Sequence, residues 1–326
     1  MITASIVVPT FKRVEQTLST LDLLLAAKGG GSEFELEVIV ADSSPDDELR
    51  QQIRTKFGER VVYTRPHLPG IAANKNQGAK IATSHLLIFC DSDIEIEPDT
   101  ISQTLIALRQ NPTTAGLGGQ VIWKGGERNG ELDRPRPEDR QLKIDNAIYV
   151  EAIYSRYFAT YKPVFEAVGG YDEVAFNMRG EGSDLSTRYW RAGFPLVYAP
   201  EVKVLHVADV PDAIAVRVTH SEWGIAKDLL LLAYKYAMLE GDYPNFMATV
   251  KANFASLPDG YYQMLMGIGK HLDFITKIKP TLDAERFKPP TYDFKFLEVF
   301  TDQKLFTSCL SSARARLASI YTKAWK

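Results

Sequence analysis

Short β-rich runs alternate with longer amphipathic ones from residue 5 to residue 93, and each β-rich run closes on polar residues. "SIVVPT" (5–10), "LEVIVADSS" (36–44), "RVVYTRP" (60–66) and "HLLIFCDSD" (85–93) read as strands. Between them, "VEQTLSTLDLLLAAK" (14–28) sets Leu18, Leu21, Leu24 and Leu25 at helical spacing. "DDELRQQIRTKF" (46–57) reads as a second helix, and "GIAANKNQGAKIATS" (70–84) as a third, with small residues suited to close packing. Few topologies accept this order. It predicts right-handed βαβ units, a mostly parallel sheet and helices on its faces, a Rossmann-like arrangement. Such sheets bind ligands at the carboxyl ends of their strands. The clusters "PTFKR", "ADSSP" and "CDSD" all fall at such ends.

At 326 residues the chain can hold one large domain or two smaller ones. Hydrophobic content of 45% and charged content of 24% place it in the soluble globular class. A net charge of -3 gives no general electrostatic case for nucleic acid as a partner. Cys90 and Cys309 lie far apart and form no disulfide framework, which fits a reducing compartment. The start "MITASIVVPTFKR" lacks the pattern of a signal peptide. The longest apolar run, "DLLLLAYKYAML" (228–239), is interrupted by Lys235 and falls short of the roughly 20 residues of a membrane helix. The expected location is cytoplasmic, extending to peripheral contact at the inner face of a membrane.

Residues 125–145 are polar, rich in Pro and Gly, and read as a long surface loop. "VFEAVGGYDE" (164–173) contains a Gly-Gly turn, "DLSTRYWRAGF" (184–194) a short helix stopped by Gly193, and "LVYAPEVKVLHV" (196–207) a strand. Beyond about residue 210 the segments 221–241, 258–278 and 304–326 read as helices. The expected division is an α/β domain over 1–209 and a helical region over 210–326. That second region is expected to serve as a lid, an oligomer interface or a peripheral membrane contact. Its terminal charges, Arg314, Arg316, Lys323 and Lys326, read by themselves as a solvated helix face.

Five segments in this order resemble family 2 glycosyltransferases: "SIVVPTFKR", "VIVADSSPDD", "NKNQGAKIATSHLLIFCDSD", "VFEAVGGYDE" and "GEGSDLSTRYWRAG". The resemblance covers about residues 3–209. It implies the GT-A fold and a nucleotide-sugar donor, with UDP a common choice. It implies a divalent metal, Mn²⁺ or Mg²⁺, and an acceptor that is a glycan, a lipid carrier, a peptide or a small molecule. The family's processive members carry a QxxRW segment and membrane helices. Neither occurs here, which points to transfer of a single sugar to a discrete acceptor.

Asp91 and Asp93 match the family's DxD motif. On an extended segment their side chains point the same way, and a cation relieves their repulsion. A turn closed by the two carboxylates is the simpler local reading. The resemblance assigns Asp93 to the metal and Asp91, with Ser92, to the donor. Asp42 matches the aspartate that accepts from the nucleotide base; capping of the next turn is its local alternative. Pro9, Thr10 and Arg13 match the first loop around the base and diphosphate. Lys75 stands where the family has arginine, which removes a planar, bidentate donor. Asn76 and Gly78 match, and close packing explains Gly78 equally well.

The resemblance places the acceptor base in "RGEGSDL" (179–185). The usual Glu-Asp pair is here Glu181-Gly182, so Glu181 or Asp184 is left to take the hydroxyl proton. Asp184 also reads as a helix N-cap. Arg179 is a candidate for phosphate or acceptor contact. His206 falls where the family places a metal-binding histidine, with Asp209 as its support. Trp190 reads as core, and Trp123 as core or as a sugar-stacking face. Two other functions fit parts of this pattern: a nucleotidyltransferase on a related fold, and a non-catalytic sugar- or nucleotide-binding module.

Overall fold

The computed structural model describes residues 2–27, 34–125, 129–132, 140–174, 176, 180–207, 235 and 298–325. Its first half follows the alternation in the sequence. Strands β1 (Ile2–Thr10), β2 (Phe34–Asp42), β3 (Val61–Thr64) and β4 (Leu86–Cys90) alternate with helices α1 (Val14–Ala26), α2 (Glu48–Phe57) and α3 (Ile71–Ile81). The four strands pair in parallel in the order β3-β2-β1-β4. β1 is buried from Ala4 to Thr10, and β4 throughout, as strands covered on both faces must be. Gly78 lets α3 lie directly on β1: a Cβ there would come within 2.3 Å of Val7 Cγ1.

Beyond β4 the sheet is mixed rather than mostly parallel. The strand β5 (Ile94–Ile96) precedes helix α4 (Thr100–Gln110) and strand β6 (Gly116–Lys124). Then come β7 (Gln141–Ile144), β8 (Ala147–Val150), β9 (Tyr157–Tyr161), helices α5 (Lys162–Ala167) and α6 (Glu181–Arg191), and β10 (Leu196–Val207). β9 runs antiparallel to both β4 and β6, and the full path is β3-β2-β1-β4-β9-β6-β10-β8-β7 with β5 on β10. Among the antiparallel pairs only β7 and β8 are joined by a short link, and they must pair antiparallel because a parallel crossover needs a dozen or more connecting residues. β7 and β8 are joined by a tight turn in which Asp145 adopts φ 51°.

The expected loop over 125–145 is therefore cut short by β7. The dense charges of that stretch conceal a strand whose Gln141 and Lys143 face solvent while Leu142 and Ile144 are half-buried. The Gly-Gly turn is present, with Gly169 at φ 88° and Gly170 at φ 66°. Trp190 is core: it is fully buried and donates its indole N–H to Val150 O at 3.0 Å.

The last helix, α7 (Gln303–Ala324), is capped by Asp302, whose carboxylate accepts from Lys304 N and Leu305 N. It docks on the α/β domain. Phe306 meets the Tyr149 ring edge-on at 5.0 Å, and Phe300 meets Trp190 at the same distance. Arg316 is not a solvated charge. Its guanidinium lies 4.1 Å from the Phe194 ring centre and donates to Ala192 O. Arg314 and Lys323 do face solvent. Trp325 donates to Tyr161 OH, at the end of β9 that pairs with the start of β4. The domain boundary near 210, the helices expected over 221–241 and 258–278 (Lys235 apart) and Lys326 lie outside the described residues. No helix among the described residues is long and apolar enough to cross a membrane.

Candidate active site

The two aspartates do not lie on an extended segment. β4 stops at Cys90, and a turn closed by Ile94 N donating to Asp91 O at 3.2 Å carries both. Their carboxylates diverge to different cations. Asp91 Oδ1 lies 3.2 Å from Lys75 Nζ, an ion-pair contact off the hydrogen-bonding direction. Asp93 Oδ2 pairs with Arg13 and lies 3.2 Å from His206 Nε2. Repulsion between the aspartates is thus met by protein cations on both sides.

The sheet register delivers His206 to this turn. β10 pairs antiparallel with β5 so that His206 faces Ile94, and Val207 N donates to Asp93 O at 2.9 Å. Trp123, its neighbour across β6, packs edge-on against the imidazole at 4.2 Å. Trp123 is therefore largely buried, and Arg156 sits 5.3 Å from its ring centre. Burial opposes the charge on Asp93. The hydrogen bond and charge of His206, with the charges of Arg13 and Arg156, overcome that and lower its pKa to about 2. For Asp91 burial prevails over Lys75, and its pKa is raised.

Asp93 Oδ1 and His206 Nδ1 are buried with no hydrogen-bond partner among the described residues. A carboxylate and an imidazole already in contact are ligand types suited to a small divalent cation, which would take the place of the Oδ2–Nε2 contact. Among the described residues no third carboxylate, histidine or cysteine completes such a group. Asp209 lies outside them, as does Arg179.

The nucleotide end is built from β1, β2 and α3. Pro9 and Thr10 end β1 beside Ala41 and Asp42. Asp42 is fully buried, and its carboxylate accepts from Ser44 N (2.8 Å), Ser44 Oγ (2.6 Å) and Tyr63 OH (2.8 Å). The turn-closing role open to it on local grounds is therefore filled. Burial, with that bond to Asp42, pushes the Tyr63 hydroxyl up to about 12. Asn74, not singled out in the sequence, donates to Thr10 O at 2.9 Å and Ser43 Oγ at 3.1 Å. Asn76 serves the fold. Its amide donates to Tyr171 O and Glu173 and accepts from Tyr171 N, fixing the chain after the Gly-Gly turn. Ser92 is buried, and its carbonyl accepts from Thr20 Oγ1.

Lys75 joins the two halves of the site. It is wholly buried, and its ammonium donates to Ser155 O (2.9 Å), Ser155 Oγ (3.0 Å) and Glu181 Oε1 (3.5 Å) while contacting Asp91. The Tyr171 ring centre lies 5.5 Å away. Glu181 opens α6 after Gly180, which takes the left-handed φ of 79°. Asp184 is therefore inside the first turn and is not the N-cap. Its Oδ1 accepts from Lys235 Nζ at 2.6 Å, and its Oδ2 accepts from Arg188 Nη2 at 2.7 Å and Nε at 3.0 Å. Lys235 also donates to Asp172 at 2.9 Å. Burial opposes ionisation of Asp184, but Arg188 and Lys235 outweigh it and hold its pKa below the usual range. Ser155 carries no motif to announce it. Lys235 had one signal, a cation inside an apolar run, which marks a residue that needs a buried partner.

Residues 5–165 match the family model described as glycosyl transferase family 2. Those residues, just under half of the chain, carry the family 2 match. Its curated relatives include N-acetylgalactosaminyltransferase 6 of Drosophila melanogaster, 26% identical over 52% of this chain and 29% of that protein. A glucosyl-dolichyl phosphate glucuronosyltransferase of Haloferax volcanii is 26% identical over 52% of this chain and 55% of its own length. The chain thus spans about half or less of the length of these relatives. Among solved structures, GalNAc-T7 with UDP, GalNAc and Mn²⁺ aligns with a TM-score of 0.53 at 16% identity, over 71% of this chain and 48% of that one. A mannosyltransferase of Pyrobaculum calidifontis in complex with GDP-Man and Mn²⁺ aligns with a TM-score of 0.50 at 16% identity, over 86% and 85%. These likenesses establish the GT-A fold of the family 2 domain.

Proposed function

We propose that the protein transfers a single sugar from a nucleotide-sugar donor, UDP-linked by preference, to a hydroxyl of a glycan, lipid-linked or other acceptor. The reaction is inverting, metal-dependent and non-processive. The observation that carries this reading is the buried Asp93–His206 contact, with Asp93 Oδ1 unused, beside the ion-pair network of Asp91, Lys75 and Glu181.

Asp93 and His206 hold Mn²⁺ or Mg²⁺. Such an ion, when bound, offsets the negative charge of the diphosphate and its leaving group. Asp91, Ser92 and Arg13 face the donor's sugar and phosphates, and Pro9, Thr10 and Asp42 frame its base. Lys75 sets Asp91 in place, and Asn76 braces the wall behind it. Glu181 takes the acceptor proton. Asp184 is the poorer base, because two cations occupy its oxygens in a fully buried site. The nucleotidyltransferase reading gains nothing from the family match.

Turnover of UDP-sugars with Mn²⁺, then with EDTA, tests the reading. Loss of turnover in EDTA and its return on adding Mn²⁺ are expected. Unchanged turnover in EDTA removes the metal. Nucleoside diphosphate as the released product separates sugar transfer from nucleotidyl transfer, which releases pyrophosphate.

A further inference from the structure

We infer that Ser155 is the positioning residue for the acceptor base, and that glycine at 182 lets Ser155 come close enough to reach it. This rests on Glu181 being that base.

Residues 153–155 cross directly over the first turn of α6. Ile153 N donates to Ser186 Oγ at 3.0 Å, and Ser186 Oγ donates to Gly182 O at 2.7 Å. The contact is tight, and a side chain at 182 would make residues 153–155 give by a few tenths of an ångström. A Cβ on Gly182 would lie 3.0 Å from Ile153 O, 3.2 Å from Ser155 N and 3.3 Å from Ser155 Cβ. The approach brings Ser155 Oγ onto Glu181 Oε1.

The chemistry fixes the direction of each hydrogen bond. An ammonium can only donate, so Ser155 Oγ accepts from Lys75 at 3.0 Å. A hydroxyl has one proton, and Ser155 gives it to the carboxylate of Glu181. Glu181 Oε1 is thus held by Ser155 and, at 3.5 Å, by Lys75. The side chain has 11% exposure, and among the described residues Oε2 takes part in none of these bonds. Oε2 is the oxygen offered to the acceptor hydroxyl. Ser155 touches no reacting atom. It selects the rotamer of the group that does, and through Lys75 it ties that rotamer to Asp91 on the donor side.

The test compares Ser155→Ala, Ser155→Thr, Gly182→Ala and Glu181→Gln, each with Mn²⁺ and the UDP-sugar that binds the parent most tightly. Ser155→Ala is expected to lower kcat of transfer or hydrolysis roughly tenfold or more, the scale of one lost hydrogen bond to a charged group. Its KM and calorimetric Kd for that UDP-sugar stay near the parent values. Ser155→Thr, which keeps the hydroxyl, recovers much of the rate. Gly182→Ala, which pushes residues 153–155 away, resembles Ser155→Ala. In a Glu181→Gln background, Ser155→Ala adds no further loss, as expected for two residues acting as one unit. A crystal structure of Ser155→Ala shows Glu181 in a changed rotamer. An unchanged Glu181 rotamer overturns the inference, whatever the substrate proves to be. So does a fall in donor affinity that matches the fall in kcat. Full activity in Glu181→Gln removes Glu181 as the base and with it this inference, while the turnover it reports leaves sugar transfer itself standing. An inactive Glu181→Gln beside a fully active Ser155→Ala removes only the role of Ser155.

Discussion

Asp91 and Asp93 are two residues apart, yet they belong to different halves of the site. One faces Lys75 and Glu181; the other faces Arg13 and His206. Replacing Asp93 with Ala is expected to abolish transfer while circular dichroism still shows a folded chain; appreciable turnover in that variant would sink its assignment to the metal. The same residue sets an acid limb. Its pKa is held at about 2, below the unfolded value, so its contribution is complete above about pH 4 and lost as pH falls toward 2. That contribution is on the order of 2 kcal/mol, and stability curves of Asp93→Ala should be flatter over this window. Asp91, with its raised pKa, acts in the opposite sense. Asp184 belongs to the fold more than to the chemistry. Asp184→Asn leaves Lys235 and Arg188 undercompensated in a buried cluster and should cost about 3–5 kcal/mol in denaturant unfolding. Loss of activity in that variant without loss of stability would restore it as a base candidate. The residue types of the site were legible because polar side chains ending buried strands stand out. The partners of those side chains were not. Nothing local to Asp184 announces Lys235, and nothing local to Asp42 announces Tyr63.

At the level of elements, α3 carries the clearest requirement. Gly78 is needed because Val7 of β1 occupies the space a methyl would take. Gly78→Ala should therefore destabilise by about 1–3 kcal/mol despite alanine's better helix propensity. It should also disturb Asn74, Lys75 and Asn76 on the same helix, read as weaker nucleotide binding. A stabilised Gly78→Ala would show that α3 can lift off β1 freely. The first four strands and three helices were visible in the sequence because burial on both faces writes continuous apolar runs between periodic helices. The second half hid its strands for a physical reason. β7 is an edge strand with polar residues outward, and β5 is only three residues long, so neither writes a long apolar run. Of the two geometries open to Asp91 and Asp93, the extended one fails and a turn holds. Its geometry is set by β5 pairing with β10, a contact more than a hundred residues away in sequence.

At the scale of the whole molecule, the acidic and basic side chains described around the site balance before any ligand arrives. Asp91, Asp93 and Glu181 stand against Arg13, Lys75 and the nearby Arg156. A divalent cation alone upsets that balance near Arg13, which already occupies Asp93. A diphosphate alone upsets it near Asp91 and Glu181. Together they offset each other, because the cation's charge meets the diphosphate's and Arg13 exchanges the Asp93 carboxylate for a phosphate. Binding should therefore be cooperative. Mn²⁺ alone is expected to raise Tm little, and UDP in EDTA little. The two together, at a ligand concentration about a hundredfold above Kd, should stabilise the folded chain by roughly 2.7 kcal/mol. That corresponds to a rise of several degrees in a protein of this size. Arg13→Gln separates the contributions. It removes the cation that competes for Asp93, so Mn²⁺ alone should bind more tightly, while the joint effect with UDP should shrink because a phosphate contact is lost. Thermal shifts that simply add, with Arg13→Gln changing neither, would mean that metal and nucleotide enter without exchanging partners at Asp93.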